Sequence, residues 1–218
     1  MRNKKFQSAF VLSCVALVFV STSGCNLLLT QLGYWSGGNL IPAEYAGLEK
    51  QRVAIVCVSD NASYGVGTES ELLARGVAGI LKQHVKEIDV VRQDEIADWI
   101  DKNDWSEVDY REVGKGVKAD RIIAIDLAGF RLYEGQSLYR GRAAVTVTVY
   151  DLADGGKEVF RRPLPEIRFP ANGVYHSSET TETAFRRAFI KVISAQVARY
   201  FYDYDMVDTY GRDPIDVG

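Results

Sequence analysis

Two runs of β-branched and aliphatic residues, Val53-Ala54-Ile55-Val56-Cys57-Val58 and Ile122-Ile123-Ala124-Ile125, constrain this chain more than anything else in it. Near-continuous apolar runs of this length read as strands buried on both faces, the pattern of a central parallel sheet rather than of a half-wet one. A helical stretch separates them. It opens at Thr68, with Glu71 three residues on, which is the spacing of a capping box. Leu72, Leu73, Val77, Ile80, Leu81 and Val85 then form a broad apolar stripe, while Gly76 and Gly79 cost helix propensity and predict close packing on a sheet.

Between these runs, Ile88–Val91 reads as a short strand, Asp94 opens a helix carrying Ile96, Trp99 and Ile100, and a second helical signal starts at Ser106. Leu138–Tyr150 alternates: Ala143, Val145, Val147 and Val149 point one way, and Arg142, Ala144, Thr146, Thr148 and Tyr150 the other, as in a half-exposed strand. Asp154-Gly155-Gly156 signals a turn before a strand at Glu158–Arg161. The strongest amphipathic helix starts near Ser178 and carries Phe185, Phe189, Val192, Ile193, Val197 and Tyr200. The expected order is β-α-β-α-β-β-β-α, with the middle helical region open to being split. That is one α/β domain (α+β-like), with a mixed four- to five-stranded sheet packed by helices.

Residues 1–24 have the layout of a secretory signal. Arg2, Lys4 and Lys5 are followed by an apolar stretch from Ala9 to Val20, too short for an ordinary spanning helix. The segment Ser21-Thr22-Ser23-Gly24-Cys25 resembles a bacterial lipobox, with Thr22 where the pattern has Leu, Val or Ile. The resemblance implies cleavage before Cys25 and acylation of its thiol. The chain would then be a bacterial envelope lipoprotein, held on a bilayer with its domain outside the cytoplasm. A plain signal peptide and an uncleaved anchor are the alternatives. Residues 25–50 read as a lipidated tether that lies on the membrane or packs back on the domain, 51–203 as the mixed domain, and 204–218 as a flexible acidic tail.

Cleavage would leave 194 of the 218 residues, and loss of three leader cations takes the net charge from -3 to -6. This balance and export both argue against nucleic acid as a partner. Cys14 leaves with the leader and Cys25 takes the lipid, so Cys57 stands alone and no disulfide framework is expected.

The order of elements carries a second resemblance. "KQRVAIVCVSD", "GVKADRIIAIDL" and "VYDLADGGKEVFRR" are similar to segments of the periplasmic α/β domain of curli-secretion lipoproteins, penicillin-binding-protein activator lipoproteins and the TolB amino-terminal domain. Val117-Lys118 stands where that pattern has Gly. The likeness spans roughly residues 50 to 200 and implies a non-catalytic scaffold or assembly part with no catalytic residue to carry over.

Two sets of residues are candidates for contact. The loop Asp60, Asn61, Ser63, Gly65, Gly67 and Thr68 leaves a strand and enters a helix, a common ligand position in α/β folds. It lacks the Lys-Ser/Thr pair of a P-loop. A connection capped by Thr68 is the plainer reading. Trp99 and Trp105 flank an acidic stretch, and Phe201, Tyr202 and Tyr204 cluster near the end, so either group can form a protein-contact patch or pack as core and scattered surface aromatics. His84 and His176 have no metal-ligand spacing, and neither a metal nor a cofactor is expected. Asp60 and Asp126 fall at strand ends where two acids could meet. The sequence-level expectation is thus a non-enzymatic, lipid-anchored scaffold for envelope proteins or for self-association. The alternative is a small-ligand or cell-wall-glycan binding domain using the 60–68 loop.

Overall fold

The computed structural model describes residues 40–60, 68–103 and 109–205. In chain order these form β1 (Leu40–Ile41), β2 (Arg52–Ser59), α1 (Glu69–His84), β3 (Asp89–Val90), α2 (Gln93–Lys102), α3 (Tyr110–Gly116) and β4 (Arg121–Tyr133). There follow β5 (Leu138–Asp151), β6 (Lys157–Pro163), β7 (Ile167–Phe169), β8 (Tyr175–His176), α4 (Glu182–Ala198), a short 3-10 turn at Arg199–Phe201, and β9 (Tyr204–Asp205).

The sheet runs β3-β2-β4-β5-β6, with β7 and β8 also paired to β5. The mixed α/β character matches the expected fold, and with β7 and β8 the sheet has seven strands where four to five were expected. β2 is parallel to both β3 and β4, and every later pairing is antiparallel. The two short strands beside β5 arise from the stretch holding Pro165 and Pro170, whose prolines bound β7 without entering it.

Helices cover both faces, and the sequence of β2 shows why. Val53, Ile55 and Cys57 face one core, with α1 and α4, while Ala54 and Val56 face the other, with α2 and α3. β4 repeats the division: Ile123, Ile125 and Leu127 on the first side, Ile122 and Ala124 on the second. Burial on both sides makes these strands read as unbroken apolar runs. Over β5 only the first side is roofed, so Ala143, Val145, Val147 and Val149 are buried and the strand alternates.

The cap expected at Thr68 forms, whereas α2 starts at Gln93, one residue before Asp94, with no side-chain cap. Thr68 Oγ1 accepts from the Glu71 N–H at 3.3 Å. α4 begins at Glu182 rather than near Ser178. The Glu179 carboxylate accepts from the His176 N–H at 2.7 Å, holding 177–180 outside the helix, and Thr181 takes the cap position instead. The middle helical region is split into α2 and α3, with Asp109 Oδ1 capping the Arg111 N–H. Gly155 and Gly156, at φ 65° and 83°, make the turn into β6.

The folded body extends beyond the boundaries expected at 51 and 203. β1 pairs antiparallel with β9, Tyr45 N–H donates to the Tyr200 carbonyl at 2.9 Å, and Leu48 is fully buried. Residues 40–50 therefore pack on the domain, the option a tether rich in leucine and aromatic residues had left open. Residues 204–205 are strand rather than tail. Residues 1–39, including Cys25, and 206–218 lie outside the described residues, and no described helix is long and apolar enough to cross a membrane.

Candidate functional site

The parallel pairing of β2 with β4 ends with Val58 opposite Asp126 and Ser59 opposite Leu127, where β2 stops and β4 runs on. In an α/β sheet this carboxyl end is where ligand crevices form. Both acids singled out from the sequence sit here. Asp60 Oδ2 accepts from the Gly129 N–H at 3.0 Å, where Gly129 turns the strand at φ 60°. Asp126 Oδ1 accepts from the Tyr110 hydroxyl at 2.5 Å. Each carboxylate has a partner that holds the fold: one fixes the bend in β4, the other ties α3 to the sheet. Gln93 does the same on the neighbouring strand, its amide donating to the Ile55 carbonyl at 3.1 Å. Tyr110 is a residue that sequence reasoning passed over, since an aromatic just after a cap reads as core.

Cys57 lies on the other face of the sheet from Tyr110, fully buried in the core that α1 covers. Burial pushes its thiol from 9.0 up to about 12, with a side-chain hydrogen bond to Ser70 acting the other way and the charge of Asp126 adding to the rise. A thiol held protonated is no nucleophile at neutral pH. Burial and then the bond to Asp126 also push the Tyr110 phenol above its ordinary value. Both shifts favour the protonated form of the folded protein. The thiol's contribution to stability is complete below pH 9.0 and is lost as pH rises toward about 12, and the phenol's starts to fall only above its ordinary value of 10.0. The urea midpoint is expected to stay flat from pH 7 to 9 and fall from there to pH 11. A midpoint that rises above pH 9 would contradict a buried, protonated Cys57 and Tyr110.

Of the loop candidates, Asp60 and Thr68 are placed, both hydrogen-bonded as above; Asn61, Ser63, Gly65 and Gly67 lie outside the described residues. So does Trp105. Trp99 is half-buried and packs on the second core. Gly116 passes so close beneath its indole that a Cβ there would meet Nε1 at 1.9 Å. Phe201 is a correction: at 2% exposure it is core, in edge contact with Tyr45 and Phe160. The 3-10 turn rotates it into the core while Tyr200 and Tyr202 stay half-buried at the edge of the same core. Tyr202 stacks on His84 at 4.2 Å, and Tyr204 lies under the Arg199 guanidinium at 5.4 Å. These two remain half-buried at the surface.

Tyr204 also lines a shallow groove of about 240 Å³ between β1, the β6–β7 connection and the end of α4, with Ile41, Glu44, Leu164, Arg199 and Tyr200. Arg162 closes one side by pairing with Glu44 and covering the Tyr200 ring at 5.7 Å. The groove therefore sits where the chain enters and leaves the described body.

No family model and no curated relative matches this chain. Among solved structures it is similar to lipoprotein GNA1162 from Neisseria meningitidis at 13% identity and a TM-score of 0.43, over 67% of this chain and 97% of that one. It is similar to the LpoB C-terminal domain from Salmonella enterica at 7% identity and 0.38, over 56% and 85%. A PelC dodecamer from Paraburkholderia phytofirmans gives 12% and 0.44, over 76% and 99%. At such scores these are likenesses of outline, and the roles of this chain's residues follow from its own geometry.

Proposed function

We propose that this chain is a bacterial envelope lipoprotein, anchored through Cys25, whose domain acts as a non-catalytic binding or assembly scaffold for envelope proteins. The observation that carries this reading is the use of the polar groups at the carboxyl end of the sheet. Asp60, Asp126, Tyr110 and Gln93 are spent on holding strand ends and helices together. Contact is left to half-buried surface aromatics, Tyr202 and Tyr204, beside the point where the chain leaves toward Cys25. The alternative reading, small-ligand or glycan binding at the 60–68 loop, is less favoured because Asp60 and Thr68 already serve the fold.

The test is intact mass of the protein extracted from its native membranes, with photo-crosslinkers at Trp99, Tyr202 and Tyr204. A diacyl or triacyl chain beginning at Cys25, crosslinked to an envelope protein or to a second copy, is the expected result. An unmodified soluble chain overturns the anchor. An acylated chain without adducts from any of the three positions overturns the scaffold.

A further inference from the structure

The β4–β5 hairpin outruns β2, whose last partner on β4 is Leu127. Beyond that point one face of the hairpin is roofed: Phe130, Leu132, Tyr139 and Ala143 pack in the first core with Phe185 and Phe189 of α4. The opposite face carries a row of arginines. Arg131 on β4 lies directly across from Arg142 on β5, and Arg142 directly across from Arg168 on β7. Direct cross-strand partners share a face, so three guanidinium groups stand side by side across three strands. Arg140, two residues before Arg142, joins them on that face.

Like charges placed directly opposite one another destabilise a sheet. Neutralisation here is partial. Glu134 takes Arg140 at 3.1 Å and Arg142 at 3.4 Å, and Glu166 takes Arg168 at 2.5 Å. Among the described residues Arg131 has no carboxylate partner, and the buried Nε of Arg140 has no acceptor. Four guanidinium groups thus face two carboxylates. The floor beside them is flat, because the next cross-strand pair is Ala128 opposite Ala144, both exposed. The side chains of Arg142 and Arg168 are 39% and 51% exposed.

We propose that this arginine face docks on the phosphate headgroups of the anionic bilayer leaflet to which the chain is tethered; the proposal rests on the anchor at Cys25. Guanidinium forks match phosphate oxygens, and a flat array across three strands fits many phosphates in a plane better than one small anion. The rest of the mature chain is net acidic, so an anionic surface repels it and this face is favoured in contact. Reach is not limiting. Cys25 precedes Leu40 by 15 residues, at most about 50 Å of extended chain. Tethering keeps the local headgroup concentration high, so weak contacts suffice to orient the domain.

The experiment uses the full acylated chain in vesicles of phosphatidylcholine, with or without about one-third phosphatidylglycerol, and reads arginine modification by phenylglyoxal with mass spectrometry. Labelling of Arg131, Arg142 and Arg168 is expected to fall about threefold or more on the anionic vesicles. It should recover at about 0.5 M salt, where screening acts within roughly 4 Å. Arg75, on α1 across the sheet, should be labelled equally throughout. Equal labelling of all four on vesicles that retain the protein overturns the proposal and leaves the anchor standing. Protein that binds neither vesicle fails the anchor and the proposal together. Protection by soluble polyglutamate but not by the anionic vesicles overturns it in favour of an acidic protein partner. A triple variant, Arg131→Gln with Arg142→Gln and Arg168→Gln, relieves like-charge contacts and is expected to fold. It should lose the anionic-lipid protection from hydrogen exchange that the wild-type 134–137 turn gains; retained protection also overturns the proposal.

Discussion

Phe189→Ala is expected to destabilise the domain by about 3–5 kcal/mol, the range for deleting a buried aromatic side chain. Phe189 is fully buried and stacks on Phe130 at 5.3 Å and on Phe169 at 6.3 Å, so one ring joins α4 to both β4 and β7. Its partner across the interface is the absence of a side chain. Gly141 lies directly beneath the ring, and a Cβ on it would meet Phe189 Cδ1 at 2.6 Å. Gly141→Ala alone should therefore also destabilise, by about 1–3 kcal/mol of overpacking. In the double variant the added methyl enters the space that Phe189→Ala vacates. The two losses should fall short of additive by at least about 0.5 kcal/mol, the usual scale of coupling between touching residues. Chemical denaturation of the four proteins measures the cycle. Strict additivity would mean that ring and glycine do not share one space.

How much of this was legible beforehand depends on what each residue's signal encodes. Val53–Val58 and Ile122–Ile125 were readable as central strands because burial on both faces removes every polar residue from the run. Thr68 was readable as a helix start because capping is local chemistry, whereas the second middle helix was expected from Ser106 and starts at Tyr110, capped by Asp109. Leu40–Ile41 was not readable as strand: two residues carry no periodicity, and their pairing with Tyr204–Asp205 is set by a contact more than 160 positions away. Phe201 read as surface because its neighbours are tyrosines, and only the 3-10 turn shows which way it points. The arginine face is an instructive miss. Arg131, Arg142 and Arg168 each alternate with apolar residues, in Phe-Arg-Leu, Gly-Arg-Ala and Ile-Arg-Phe, and each alone reads as an ordinary wet face of a strand. Register made them one feature, and register is not written in any one strand.

Gly76 shows the same division between a visible signal and a hidden partner. A glycine inside a helix was expected to allow close packing on the sheet, and the close approach is there, but to another helix. A Cβ at Gly76 would meet Ser194 Oγ at 2.2 Å and Ser194 Cβ at 2.9 Å, where α1 crosses α4. Gly79, one turn on, has nothing within 4 Å of its would-be Cβ, so its cost in helix propensity brings no packing return. The two positions should respond in opposite directions. Gly79→Ala is expected to stabilise by up to about 1 kcal/mol through propensity alone. Gly76→Val is expected to destabilise at the upper end of the about 1–3 kcal/mol range for overpacking, since Ser194 is buried and its hydroxyl is committed to the Ile190 carbonyl at 2.8 Å. Combining Gly76→Ala with Ser194→Gly removes both atoms that clash and should recover most of what Gly76→Ala loses. Thermal and urea unfolding of this set reads the α1–α4 spacing directly. If Gly76→Val is as stable as wild type, the two helices are further apart than these contacts place them.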